Sequence, residues 1–136
     1  MTETPQPRRT PQSIGAVLAG IVAGVALSLG TDEILHIAGV YPPWGQPAGD
    51  NPLLLATAYR VAYGIAAGYI TARLAPYRPM AHSMVGGAVG LAVSVIGAIA
   101  MWNQDLGPHW YAVAVAAIAL PCAWAGGKLR EMQLRA

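Results

Sequence analysis

The stretch that decides the fold is residues 14–29, IGAVLAGIVAGVALSL, which contains no charged side chain. The apolar pattern continues past Asp32 and Glu33 to about Val40. This length exceeds the ~20 apolar residues that a helix needs to cross a hydrocarbon core of ~30 Å. The segment therefore predicts a first transmembrane span over about 14–40.

Three more apolar segments follow, separated by short breaks that are rich in Pro and Gly. Pro42 and Pro43 stop the first helix, because consecutive prolines forbid its continuation. Pro52 suits a helix start, and Pro121 predicts a kink because it removes one backbone donor. The predicted spans cover about 14–40, 52–75, 80–102 and 109–127.

These four segments predict an all-α integral membrane protein. We expect a four-transmembrane-helix up-down bundle over residues 13–128. A short disordered tail, rich in Pro and Thr, is predicted at 1–12, and a second tail at 129–136. An even number of spans places both termini on the same side of the membrane.

The composition supports this class of protein. Hydrophobic residues make up 55% of the 136 residues and charged residues 10%, whereas a typical soluble domain has about 25% charged residues. This balance excludes a soluble enzyme and a disordered protein. A net charge of +2 provides too few cations for a nucleic-acid groove. The single cysteine, Cys122, excludes an internal disulfide and a cysteine-based metal cluster.

The cations predict the orientation. Seven of the eight Lys and Arg residues lie at one boundary of the predicted bundle, which the positive-inside rule assigns to the cytoplasm. Both tails are therefore predicted to be cytoplasmic. A cleavable signal peptide over the Arg pair and residues 14–29 is the alternative, but cleavage would leave three spans and an external N-terminus. The seven cations are Arg8, Arg9, Arg73, Arg78, Lys128, Arg130 and Arg135.

Small residues recur at helical spacing in the first three spans. Such stripes allow helix backbones to approach closely where lipid removes the hydrophobic drive for association. Ordinary contacts within the bundle explain them most simply. A homo-oligomer interface is the functional alternative, and we expect an oligomer because the chain has little bulk facing the lipid. The small residues are Gly20, Gly24, Gly64, Gly68, Ser83, Gly87, Gly90, Ser94 and Gly97.

Ionisable residues inside the spans are the candidate functional site. Arg60 lies about 12 Å below the outer end of span two, and Asp32 lies about 12 Å below the outer end of span one. A charged side chain at that depth costs several kcal/mol unless it is paired or hydrated. We predict a cluster of Asp32, Glu33, His36 and Arg60, with Tyr59 or Tyr63 as hydrogen-bonding neighbours.

Two functions fit such a cluster. Intramembrane carboxylate, His and Arg groups often mark transport paths, which predicts permeation of a small solute, a proton or another ion through an oligomer. Alternatively the cluster only fixes the register of spans one and two, which predicts a structural or accessory membrane protein. No catalytic constellation appears, so an enzyme is the less favoured class.

Metal binding is a weaker hypothesis. Glu33 and His36 have the Glu-x-x-His spacing of carboxylate-bridged di-iron bundles, but one copy supplies only two ligands. A two-fold dimer would supply a second copy, and Asp105 and His109 lie near the same outer surface. Haem held by His36 and His109 has no supporting pattern. We therefore predict no cofactor.

Several short strings carry a family resemblance. Over about residues 12–133 the chain resembles small four-span bacterial inner-membrane proteins, a family with no assigned activity, fold or cofactor. The resemblance implies a location in the bacterial inner membrane. The strings are GTDE at 30–33, YPPWG at 41–45, AYR at 58–60, YITARLAP at 69–76, GPHWY at 107–111 and GGKLRE at 126–131.

Overall fold

A computed structural model describes residues 10–43, 49–103 and 108–135. These residues form four helices, each long and apolar enough to cross a membrane. Helices of 23 to 28 residues are about 35–42 Å long at 1.5 Å per residue. The prediction of an all-α bundle of four helices, each long and apolar enough to span a membrane, is confirmed. The helices are α1 Thr10–Ile37, α2 Asp50–Leu74, α3 Pro79–Met101 and α4 His109–Arg135.

The helix bounds differ from the predicted ones mainly at the chain ends. Helix α1 begins at Thr10, so part of the predicted 1–12 tail is helical, and the rest of that tail lies outside the described residues. Helix α4 continues to Arg135 through most of the predicted 129–136 tail. Pro121 lies within α4, and its kink stays a prediction.

Helix α1 ends in a glycine turn that returns the chain toward α2. Gly39 has a φ of +80°, a conformation that glycine adopts without strain. The Val40 amide donates to the Leu35 carbonyl at 2.9 Å, which is the long bond of a Schellman motif. The turn ends α1 three residues before the predicted Val40, and Tyr41 follows as a buried side chain.

The turn between α2 and α3 is compact. Arg78 precedes α3 with a φ of +44°, and Pro79 occupies the first helical turn, where its missing N–H leaves no bond unmade. The Arg78 carbonyl accepts from the His82 amide at 3.2 Å and lies 3.1 Å from the His82 Nδ1. His82 also bonds the Ser13 hydroxyl at 2.8 Å, which ties α3 to the start of α1.

Consecutive helices run antiparallel, but the four helices do not lie at the corners of a square. Helix α2 contacts each of the other three helices, including its parallel neighbour α4. Across the described ranges, α1 and α4 make no backbone contact. We call the end with the α2–α3 turn the terminal end, because residues 10 and 135 lie there. The other end, where residues 37, 50, 101 and 109 lie, is the two-loop end.

Small residues bring the helix backbones together in the terminal half. A Cβ added at Gly68 would lie 2.9 Å from the Ala123 Cα, and one added at Gly126 would collide with α2 backbone around Ile65. The Ser83 hydroxyl, which is fully buried, donates to the Ala123 carbonyl. Close backbone approach of this kind is how helices associate in lipid, so several of the predicted packing residues serve contacts within one chain.

Candidate functional site

An ion pair between α1 and α2 forms the centre of the site. The Arg60 Nη2 lies 2.6 Å from the Asp32 Oδ2, and the Tyr59 hydroxyl donates to the other carboxylate oxygen. The Asp32 side chain is only 10% exposed and that of Arg60 26%. Both carboxylate oxygens are therefore engaged by two consecutive residues of α2.

Tyr41 extends this pair toward the two-loop end. The glycine turn after α1 brings its hydroxyl 2.8 Å from the Tyr59 hydroxyl, which in turn bonds Asp32. Burial raises the pKa of the Tyr41 phenol, so this hydroxyl keeps its proton at neutral pH. The Tyr41 ring packs edge-on against His36, with ring centroids 5.1 Å apart.

The other predicted members lie at different distances from the pair. The His36 Nδ1 lies 2.6 Å from the Asp32 backbone carbonyl, and the His36 ring contacts Tyr41. Tyr63 bonds the Thr31 hydroxyl at 2.8 Å, and its ring lies 5.7 Å from that of Tyr59.

Glu33 lies outside the group that the structure brings together. Its side chain is exposed, and no ion pair involving it is found in the described ranges. The reason is geometric, because one residue along an α-helix is a rotation of ~100°. Asp32 faces α2, so Glu33 is turned away from it.

Tyr111 of α4 lies near Arg60, and both side chains line a cavity between α2, α3 and α4. Counting residues from helix ends does not predict this neighbour. Tyr111 lies in the first turn of α4, whereas Arg60 lies ten residues after the start of α2. Matching the depths of spans one and two does not predict the direct contact between α2 and α4.

One Arg60 donor has no acceptor. Within the described part of the chain, the Arg60 Nε is buried without a hydrogen-bond partner. A buried donor left unsatisfied costs about 1–3 kcal/mol. The guanidinium carbon lies 5.9 Å from the centre of the Tyr59 ring, a contact that offsets part of this cost.

Two cavities meet at Arg60. The first has a volume of about 330 Å³ and is lined by all four helices, so it occupies the space that separates α1 from α4. The second, of about 390 Å³, extends toward the two-loop end between α2, α3 and α4. Arg60, Ser94 and Val115 line both. The predicted packing residues that line the first cavity are Gly20, Gly24, Gly64, Gly68, Ser83, Gly87, Gly90 and Ser94.

The α3 stripe changes role along the helix. A Cβ added at Gly87 would lie 2.5 Å from the Ala123 Cβ, whereas one added at Gly90 or Gly97 meets nothing within 4 Å. Gly90 lines the first cavity and Gly97 the second. Toward the two-loop end, these small residues line open space and do not bring backbones together.

His109, one of the predicted metal and haem candidates, contacts Trp102. The His109 ring stacks on Trp102 with centroids 3.8 Å apart, and its Nε2 lies 2.9 Å from the Trp102 carbonyl. Asp105 lies outside the described residues. Among the residues that the structure describes, no group of three or more His, Cys, Asp or Glu side chains could hold a metal ion.

Comparisons with known proteins add no assignment. Neither protein-family models, nor curated proteins, nor solved structures match the chain. The resemblance to small four-span bacterial inner-membrane proteins therefore stays a prediction. The function must follow from the ion pair and the two cavities.

Proposed function

We propose that this chain is a multi-pass protein of the bacterial inner membrane, with cytoplasmic termini, that lets a small solute or ion pass through its helix bundle. The observation that carries the proposal is that Arg60 lines both cavities. A solute that moves from one cavity to the other passes the guanidinium. Intramembrane ionisable residues that face a cavity mark transport paths by default.

The lining of the first cavity supports this role. It is largely apolar, and its polar groups include the hydroxyls of Ser28, Thr71, Ser83 and Ser94. Its volume of about 330 Å³ greatly exceeds the ~10–15 Å³ that a single water needs. Water or a small solute therefore fits beside these hydroxyls without displacing a helix.

The Asp32–Arg60 pair would control passage between the cavities. The pair combines one anion and one cation, and the Tyr59 hydroxyl also donates to Asp32. A solute that accepts hydrogen bonds from Arg60 competes with Asp32 for the same donors. We expect the chain to work as a homo-oligomer, and the exposed face of α3 in the two-loop half, with Val93 and Ile96, is the face on which a second copy would pack.

Two single variants, each with a glycine replaced by leucine, test the proposal in proteoliposomes loaded with salt. Gly90→Leu fills the first cavity, since an added Cβ there meets nothing within 4 Å. Gly30→Leu is the matched control, because Gly30 is exposed, has the same free space and does not line the first cavity. We expect ion flux from the wild type and the control, and little from Gly90→Leu. Equal flux from all three, or none above protein-free vesicles, would refute permeation along this path.

A structural or accessory role is the second candidate. It is favoured by one observation, that consecutive residues of α2 bind both oxygens of Asp32. Such a fit fixes the register of α1 against α2. A variant in which both charges are replaced by leucine separates the two functions. Full flux through a well-folded double variant would show that the pair only joins the helices.

A further inference from the structure

Within the part of the chain that the structure describes, Arg60 is the one Lys, Arg, Asp or Glu side chain that lines either cavity. Arg60 lines both cavities, and His109 lines the second. Among the described residues, no Asp or Glu side chain lines either cavity. Asp32 contacts Arg60 and Tyr59 without lining the cavities. A solute in the cavities therefore meets the donors of the pair and not its carboxylate.

The donors near Arg60 are arranged around the junction of the cavities. Ser94 lines both cavities, and Tyr111 lines the second together with Arg60. The Arg60 Nε is buried without an acceptor, although a guanidinium has five N–H donors to satisfy. Asp32 accepts from only one of the guanidinium nitrogens, the Nη2. This is a donor-rich site that is short of acceptors.

We propose that the junction of the two cavities is a binding site for a small monovalent anion, held by Arg60, Ser94 and Tyr111. This inference deepens the proposed function, on which its role in permeation rests, by naming the solute class. An anion in the cavities can accept from guanidinium N–H groups that Asp32 does not engage, and charge-assisted hydrogen bonds are about twice as strong as neutral ones. A cation at the same place would meet the guanidinium with no carboxylate lining the cavity to balance it.

Chloride tests the site on the purified full chain in detergent, through the broadening of its NMR signal. We expect broadening by the wild type that nitrate reverses, and no comparable broadening of sodium. Ser94→Leu fills the junction while leaving the ion pair intact, and should weaken chloride binding by about tenfold or more. Gly30→Leu is its control, since Gly30 is exposed on α1 and lines neither cavity.

Loss of the charge provides the second comparison. The double variant Asp32→Asn with Arg60→Gln stays neutral and can keep hydrogen bonds between the amides, but it should lose chloride binding. Arg73→Gln removes an exposed cation at the terminal end and should retain it. Chloride broadening that is unchanged both in Ser94→Leu and in the double variant Asp32→Asn with Arg60→Gln would overturn the anion site. Broadening of sodium alone would overturn it as well.

Binding and flux together separate this inference from the proposed function. Chloride binding at Arg60 without any ion flux would support the site and reject permeation. Flux of cations in preference to chloride, measured from the reversal potential, would support permeation and overturn the anion site. Absence of both would reject the two proposals.

Discussion

Glycines pack differently in the two halves of the bundle. In the terminal half, Gly68, Gly87 and Gly126 are buried against neighbouring helices. In the two-loop half, Gly90 and Gly97 meet no atom within 4 Å of an added Cβ and line the cavities. The α3 stripe therefore packs closely against α4 at Gly87 and lines open space at Gly90 and Gly97, in the cavities that Arg60 also lines.

The largest effect should come from breaking the ion pair in the open half. Arg60→Leu leaves the Asp32 carboxylate buried without its partner, which we expect to lower the free energy of unfolding by about 3–5 kcal/mol. The double variant Asp32→Leu with Arg60→Leu should recover most of this loss. Reversible unfolding in mixed detergent micelles measures both. Additive losses in the double variant would show that the two side chains do not interact.

Overpacking the closed half should have the next largest effect. Gly126→Ala places a Cβ against the α2 backbone near Ile65, and the helices must separate to admit it. We expect a loss of about 1–3 kcal/mol in the same unfolding assay. A wild-type midpoint for this variant would contradict the close approach of α2 and α4.

A hydroxyl deletion sharpens the comparison within the open half. Tyr41→Phe removes the bond to the Tyr59 hydroxyl but leaves the ion pair untouched. We expect a loss of about 0.5–1.5 kcal/mol, the usual contribution of one neutral hydrogen bond. Leu55→Ala, an exposed apolar change on α2, serves as the control and should leave the unfolding midpoint nearly unchanged.

The smallest effect should come from alanine in the open stripe. Gly90→Ala adds a Cβ that meets nothing within 4 Å, and alanine favours helix by about 0.5–1 kcal/mol over glycine. The variant should therefore be as stable as the wild type or slightly more so. A clear destabilisation, as expected for Gly126→Ala, would show that both halves of the bundle are equally closed.

The fold follows from the sequence to a large extent because membrane spans depend on length and apolar composition. Residues 14–29 contain no charged side chain, which predicts a helix within lipid. The prolines at 42, 43, 76 and 79 mark the breaks between the helices. Which helices pack against each other is harder to predict from the sequence. A small-xxx-small stripe shows that some helix approaches closely, but Gly64 and Gly68 do not reveal that their neighbour is the parallel α4.

The site was predictable where two helices are antiparallel neighbours. Residue counting places Asp32 and Arg60 at one depth, and the structure has them in contact. Residue counting gives the depth of a side chain along the helix but not the side of the helix on which it lies. It therefore groups Glu33 with Asp32, although the Glu33 side chain is exposed. Tyr111 and the cavities depend on how α4 packs, which residue spacing within α1 and α2 does not determine.

The packing of α1 has a consequence for the biogenesis of the protein. Helix α1 contacts α2 and α3 but not α4, and its one buried carboxylate is paired with α2. Asp32 precedes Arg60 along the chain, so α1 would enter the membrane before its charge partner is available. The cost is up to about 2.5–3.5 kcal/mol for an aspartate at the centre of an inserted helix and is smaller for Asp32, which lies in the last third of α1. Insertion of α1 and α2 together as a hairpin avoids this cost, since the two charges then enter the lipid as a neutral pair.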